Sequence, residues 1–102
     1  MIRHCVWLRF RHDVTGAMKQ AHYDEIDALR HHLTGMGAMS AGPNVSPEGL
    51  GQGFADGFTI DFADTEARDA YLIDPAHQAA GKSLVAHLDG GTSGVLVFDI
   101  AV

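Results

Sequence analysis

The sequence predicts an α+β domain: a ferredoxin-like βαββαβ chain forming one four-stranded antiparallel sheet with its helices on one face. Three observations carry this. Short segments alternate apolar and polar residues at strand length, and the stretches between them repeat apolar residues every three or four positions. The final segment is apolar on both of its sides. At 102 residues the chain makes a single domain, 1–102.

Residues 2–11, IRHCVWLRFR, place Ile2, His4, Val6, Leu8 and Phe10 on one face and Arg3, Cys5, Trp7, Arg9 and Arg11 on the other, so they read as a strand. The period then changes. Met18, His22, Ile26, Leu29 and Leu33 mark an amphipathic helix, with Asp13 or Thr15 as cap and Gly35 and Gly37 as its end. Residues 38–45 are a weaker strand, which Pro43 confines to a sheet edge. NVSPEGLGQG is a polar connection, and residues 54–62, FADGFTIDF, form the third strand. Asp64 or Thr65 caps a short helix to about Ile73. Asp74 caps the next, with Pro75 at its first position, and Gly90 and Gly91 stop it after about Leu88. Residues 93–102 are the last strand. Within this plan the first and third strands are read as parallel neighbours, with the fourth antiparallel on the other side of the first.

In that last strand Val95, Val97 and Ala101 point one way and Leu96, Phe98, Ile100 and Val102 the other. Leaving the second set in water costs roughly 25 cal/mol per Å² of apolar area. A second copy is the natural cover, so a homodimer packed sheet against sheet is expected.

Composition narrows the function. A formal charge of −6 with only seven Lys and Arg argues against nucleic acid and against an anionic membrane as partner. Cys5, the only cysteine, excludes an intrachain disulfide and reads as a small buried hydrophobe. No stretch has the roughly 18 apolar residues of a membrane helix, and the start lacks a signal-peptide core, so a cytoplasmic protein is expected. No cofactor is expected. Seven histidines invite a metal, but HxxxH, HExxH and CxxC spacings are lacking, and His22, His31 and His32 read as solvated helix residues.

Three ionisable groups fall on the helix-side apolar face: His4, Asp56 and Asp99. Burying them is expensive unless each is paired. The strand plan gathers all three at one end of the sheet, either as a structural His–Asp pair or as a binding site. In YLIDPAHQAA, His77 falls in the first turn after the Asp74 cap, where the helix dipole disfavours imidazolium and the Asp74 carboxylate opposes that effect. Tyr71 reads as a boundary residue or as a site residue.

MIRHCVWLRF, NVSPEGLGQGFADGFTIDF, YLIDPAHQA and VLVFDI together resemble the stress-responsive A/B barrel domain (Dabb) family over essentially the whole chain. The resemblance implies a dimeric α+β barrel with a small, partly apolar pocket between sheet and helices. By likeness to polyketide cyclases of the olivetolic acid type, Tyr71 and His77 would be an acid/base pair and Asp99 would orient the His. His4 would be a further pocket histidine and Tyr23 the pocket phenyl group, with Asp56, Val6, Leu8, Phe58 and Val97 in the wall. The family often has histidine where this chain has Asp56, and His-Pro where it has Asp74-Pro75. Asp56 makes the pocket mouth more acidic and offers His4 a carboxylate. Three functions follow as expectations: a cyclase, lyase or isomerase acting on a small carbonyl or polyketide-like compound through a His/Tyr pair; a non-catalytic ligand-binding or stress-protective dimer; and a cofactor-free monooxygenase-like barrel.

Overall fold

The computed structural model describes residues 1–102. The elements are β1 (Ile2–Leu8), α1 (Gly16–Asp27), β2 (Met36–Pro43), β3 (Asp56–Phe62), α2 (Thr65–Ile73), α3 (Pro75–Val85) and β4 (Val95–Ala101), with 3-10 turns at Ala28–His31 and Gly91–Gly94. The sheet order is β2-β3-β1-β4, and every neighbouring pair is antiparallel.

The expected parallel pairing of β1 with β3 is therefore corrected. The crossover through α1 returns β2 in the direction of β1. The connection from β2 to β3 then reverses the chain, so β3, lying between them, runs against both. The consequence for the site is large. His4 sits opposite Ile60, and Asp56 sits opposite Leu8, so these two residues occupy opposite ends of the sheet.

Caps fix where each helix begins. The Thr15 hydroxyl accepts from the Met18 N–H at 3.2 Å, Asp64 accepts from Ala67 N–H at 2.8 Å, and Asp74 accepts from His77 N–H at 3.0 Å. Pro75 starts α3 directly after its cap. α1 ends at Asp27, earlier than its apolar spacing suggests, and continues as the 3-10 turn carrying buried Leu29. Gly35 follows at φ +81, where a Cβ would lie 2.8 Å from the Ala67 Cβ, so only glycine fits this turn. α3 stops at Val85, β1 at Leu8, and β3 begins at Asp56; Phe10 still bridges to Leu88 beyond the end of β1.

One face of the sheet carries all three helices. Val6 and Leu8 of β1 and Phe58, Ile60 and Phe62 of β3 pack there against Tyr23, Ile26, Tyr71, Ala80 and Leu84. The opposite face carries none. On it Leu96, Phe98 and Ile100 of β4, with Val102 just beyond its end, are 42–55% exposed. Trp7 stands edge-on to Phe98 at 6.0 Å and lies across Gly57, where a Cβ would run into its indole ring. Cys5 is buried on this side. No helix is long and apolar enough to cross a membrane.

Candidate functional site

Tyr71 is the centre of the best-defined cluster. It is 1% exposed and lies on α2 with Phe62 at 5.0 Å, His4 edge-on at 5.6 Å and His77 laid over it at 3.8 Å between ring centroids. The break between α2 and α3 produces the last contact. Asp74 ends one helix and caps the next, and the turn this forces brings His77, in the first turn of α3, back against Tyr71. The second oxygen of Asp74 meets His32 Nε2 at 3.1 Å. The capping role of Asp74 read from the sequence is thus joined by a contact the sequence did not suggest.

His77 Nδ1 is buried and has no hydrogen-bond partner. Burial pushes the imidazole pKa down and the nearby His4 adds to this; the Leu72 and Tyr71 backbone and the Asp74 carboxylate partly oppose it. The ring is neutral at pH 7 and can accept a proton. Burial alone pushes the Tyr71 hydroxyl upward, so it stays protonated and able to donate.

His4 is buried, and its Nδ1 lies 2.7 Å from Asp99 Oδ1 across the β1–β4 pair. Asp99 Oδ2 accepts from Arg68 Nη1 at 2.6 Å. Burial tends to raise the Asp99 pKa, but the hydrogen bonds and charges of Arg68 and His4 outweigh it and hold the carboxyl below its usual range. The expected partner of Asp99 is corrected here: its carboxylate meets His4, its cross-strand neighbour, and not His77.

Asp56 belongs to the far end. Its Oδ2 accepts from Lys19 Nζ at 3.0 Å, and that ammonium lies 5.3 Å from the centre of the Phe10 ring. The expectation that Asp56 joins His4 is overturned by the antiparallel register. Tyr23 packs edge-on to Phe58 at 6.2 Å. Its hydroxyl is buried without a partner, and burial together with the Asp56 charge pushes its pKa up to about 12.

Two of six cavities stand out. A recess of about 710 Å³ lies under the 44–55 connection and includes Trp7, Gly42, Phe54, Asp56, Gly57 and Leu96. A cleft of about 200 Å³ runs between α1 and β2 and includes Gln20, Tyr23, Asp24, Asp27 and Met39. Neither is lined by Tyr71, His77 or His4. Of the expected wall residues, Val6 and Leu8 are packed into the core, Phe58 is buried but borders the recess, and Val97 on the edge strand is 53% exposed.

Sequence reasoning missed three participants. Arg68 is three residues before Tyr71, so both leave the same side of α2, and this spacing was a usable signal. Lys19 likewise precedes Tyr23 by four. His22, expected in solvent, is buried: its Nε2 contacts His87 Nδ1 and its ring stacks on Phe10. Nothing local in the sequence announces a pair 65 residues apart.

The stress responsive A/B barrel domain model matches residues 2–102. No curated protein matches the chain. Among solved structures, a dimeric ferredoxin-like protein of unknown function from Jannaschia sp. CCS1 is 35% identical, covering 99% of this chain and 98% of that one, with a TM-score of 0.87. A protein from Arabidopsis thaliana is 26% identical over 100% and 95% of the two chains, with a TM-score of 0.89. The hydroxynitrile lyase from Passiflora edulis is 14% identical over 99% and 92%, with a TM-score of 0.83, a likeness of fold. With the family model matching nearly end to end, the chain belongs to the stress responsive A/B barrel domain family.

Proposed function

We propose that this chain works as a homodimer packed sheet against sheet, and that the Tyr71–His77–His4 cluster, which neither the recess nor the cleft reaches, opens to admit a small, partly apolar carbonyl compound and moves a proton on it. The carrying observation is His77 Nδ1, a buried ring nitrogen without a hydrogen-bond partner on a neutral ring laid against a protonated tyrosine. An unmet buried polar atom costs about 1–3 kcal/mol, and a guest that hydrogen-bonds to it removes that cost. In this reading His77 takes a proton from the carbon next to the carbonyl. Tyr71 donates to the oxygen on which negative charge develops. Asp99 serves through His4, Asp56 and Tyr23 bound the far end of the layer, and no cofactor enters the step.

The dimer is supported by the open apolar face of β4 and by the 35% identical Jannaschia protein, which is described as dimeric. A second reading, a dimer that binds ligands without chemistry, draws on the 710 Å³ recess, which lies away from Tyr71 and His77. Titrating ¹⁵N-labelled protein with small aryl ketones and β-diketones separates the two. Amide shifts centred on Tyr71, His77 and His4, abolished in His77→Ala with the remaining spectrum intact, support the first. Shifts confined to Trp7, Gly57 and Leu96 would remove it in favour of the second.

A further inference from the structure

Asp99 joins two side chains from different elements. Its Oδ1 faces His4 Nδ1 on β1 at 2.7 Å, and its Oδ2 accepts from Arg68 Nη1 on α2 at 2.6 Å. The guanidinium is itself held on its other edge, where Arg68 Nε donates to Asp69 Oδ1 at 2.8 Å. Both oxygens of Asp99 are engaged, so the carboxylate cannot rotate without breaking a charge-assisted bond. A carboxylate only accepts, so the proton of a neutral His4 lies on Nδ1 and the lone pair on Nε2. The His4 side chain is 5% exposed, while those of Asp99 and Arg68 are 21% and 23% exposed, so the chain of contacts runs from the interior to the surface.

We infer that Arg68 is a positioning residue: by fixing Asp99 it holds His4 in the Nδ1–H tautomer, with Nε2 free to accept a proton in the cluster around Tyr71. This rests on the proton-transfer reading for its use, though the tautomer exists without any ligand. The residue type matters. Arginine reaches Asp99 and Asp69 from two edges of one rigid plane, whereas lysine offers a single point of charge. The helix supplies the rest, because residues three apart on α2 put Arg68 over Asp99 while Tyr71 packs on His4.

The test is a long-range ¹H–¹⁵N correlation spectrum of histidine-labelled protein at pH 8, for the unaltered chain and for Arg68→Ala, Arg68→Gln and Arg68→Lys. The unaltered chain is expected to show His4 as one neutral tautomer protonated on Nδ1. Arg68→Ala and Arg68→Gln are expected to lose that single pattern, and Arg68→Lys to recover it in part. Arg68→Gln, which keeps a polar side chain on α2 but loses the charge and the reach of Nη1 to Asp99, carries the test if the alanine variant does not fold. An unchanged His4 pattern in Arg68→Gln overturns the inference, as does a His4 in the unaltered chain that is protonated on Nε2 or on both nitrogens. If the tautomer shifts as expected but no carbonyl compound perturbs the cluster, the role of Arg68 stands and the proton-transfer reading falls.

Discussion

At one end of the layer between helices and sheet, His4 meets Asp99 and Arg68, and Tyr71 lies between two imidazoles. At the other end, Asp56 meets Lys19 beneath Phe10, with Tyr23 buried beside them. Both ends bring charge to the rim of an apolar layer, and both leave one buried polar atom unmatched, His77 Nδ1 and Tyr23 Oη. Burial raises the phenol pKa at both ends, so the difference lies in the groups beside it. The far-end phenol is pushed up to about 12 beside a carboxylate already occupied by an ammonium. The near end combines a neutral imidazole, a protonated phenol and a second imidazole whose orientation is fixed from outside. Proton transfer near neutral pH needs the second arrangement.

The largest expected effect that sharpens this contrast is on stability. Tyr71→Ala removes a ring that is 1% exposed and should cost about 3–5 kcal/mol, read as a fall in unfolding midpoint in denaturant with an unchanged slope. Tyr71→Phe keeps the ring and removes only the donor, so it should fold as the unaltered chain does and still lose proton transfer.

Next comes Asp99→Ala, which leaves buried His4 without its partner and should cost about 1–3 kcal/mol at pH 7. Its pH dependence has a definite sign. The folded pKa of Asp99 is lowered, so its contribution is present above the unfolded value of about 4 and is lost as pH falls through the lower folded value. Unfolding curves of the unaltered chain should therefore fall away more steeply in that acidic window than those of Asp99→Ala.

His77 acts in a higher window. Its folded pKa is also lowered, so its neutral form suits the fold above the unfolded value of about 6.5, and stability declines as pH drops below it. His22, lowered by burial and by His87, adds to the same decline. His77→Leu should flatten part of the slope below about pH 6.5 and His22→Leu another part. An unchanged slope in both variants would refute the assignment of neutral, buried imidazoles.

The smallest expected effect is at the far end. The Lys19–Asp56 pair has side chains 29% and 12% exposed, and Lys19→Met should cost about 1 kcal/mol or less. It should leave the near-end chemistry unchanged. A large loss of activity there would break the comparison by joining the two ends into one site.

The order of elements was legible in the sequence because each carries its own periodicity and cap: Thr15, Asp64 and Asp74 all start the helices read from them. That Asp99 lies beside the start of β1 was legible too, since antiparallel neighbours bring a strand end beside a strand start, although its partner there is His4 and not the expected His77. The direction of β3 was misread, and that single error carried Asp56 to the wrong end of the sheet. Contacts between distant turns, such as His22 with His87 or His32 with Asp74, depend on helix packing that no local spacing encodes.

The central claim is that His77 removes a proton beside a carbonyl with Tyr71 as donor. Deuterium uptake from heavy water at the central carbon of a β-diketone, followed by proton NMR, tests it most directly. The account predicts uptake above the buffer rate that falls on the order of 10²-fold or more in His77→Ala, with Tyr71→Phe also impaired. Uptake at the buffer rate with the unaltered protein, or uptake equally fast in both folded variants, would contradict it.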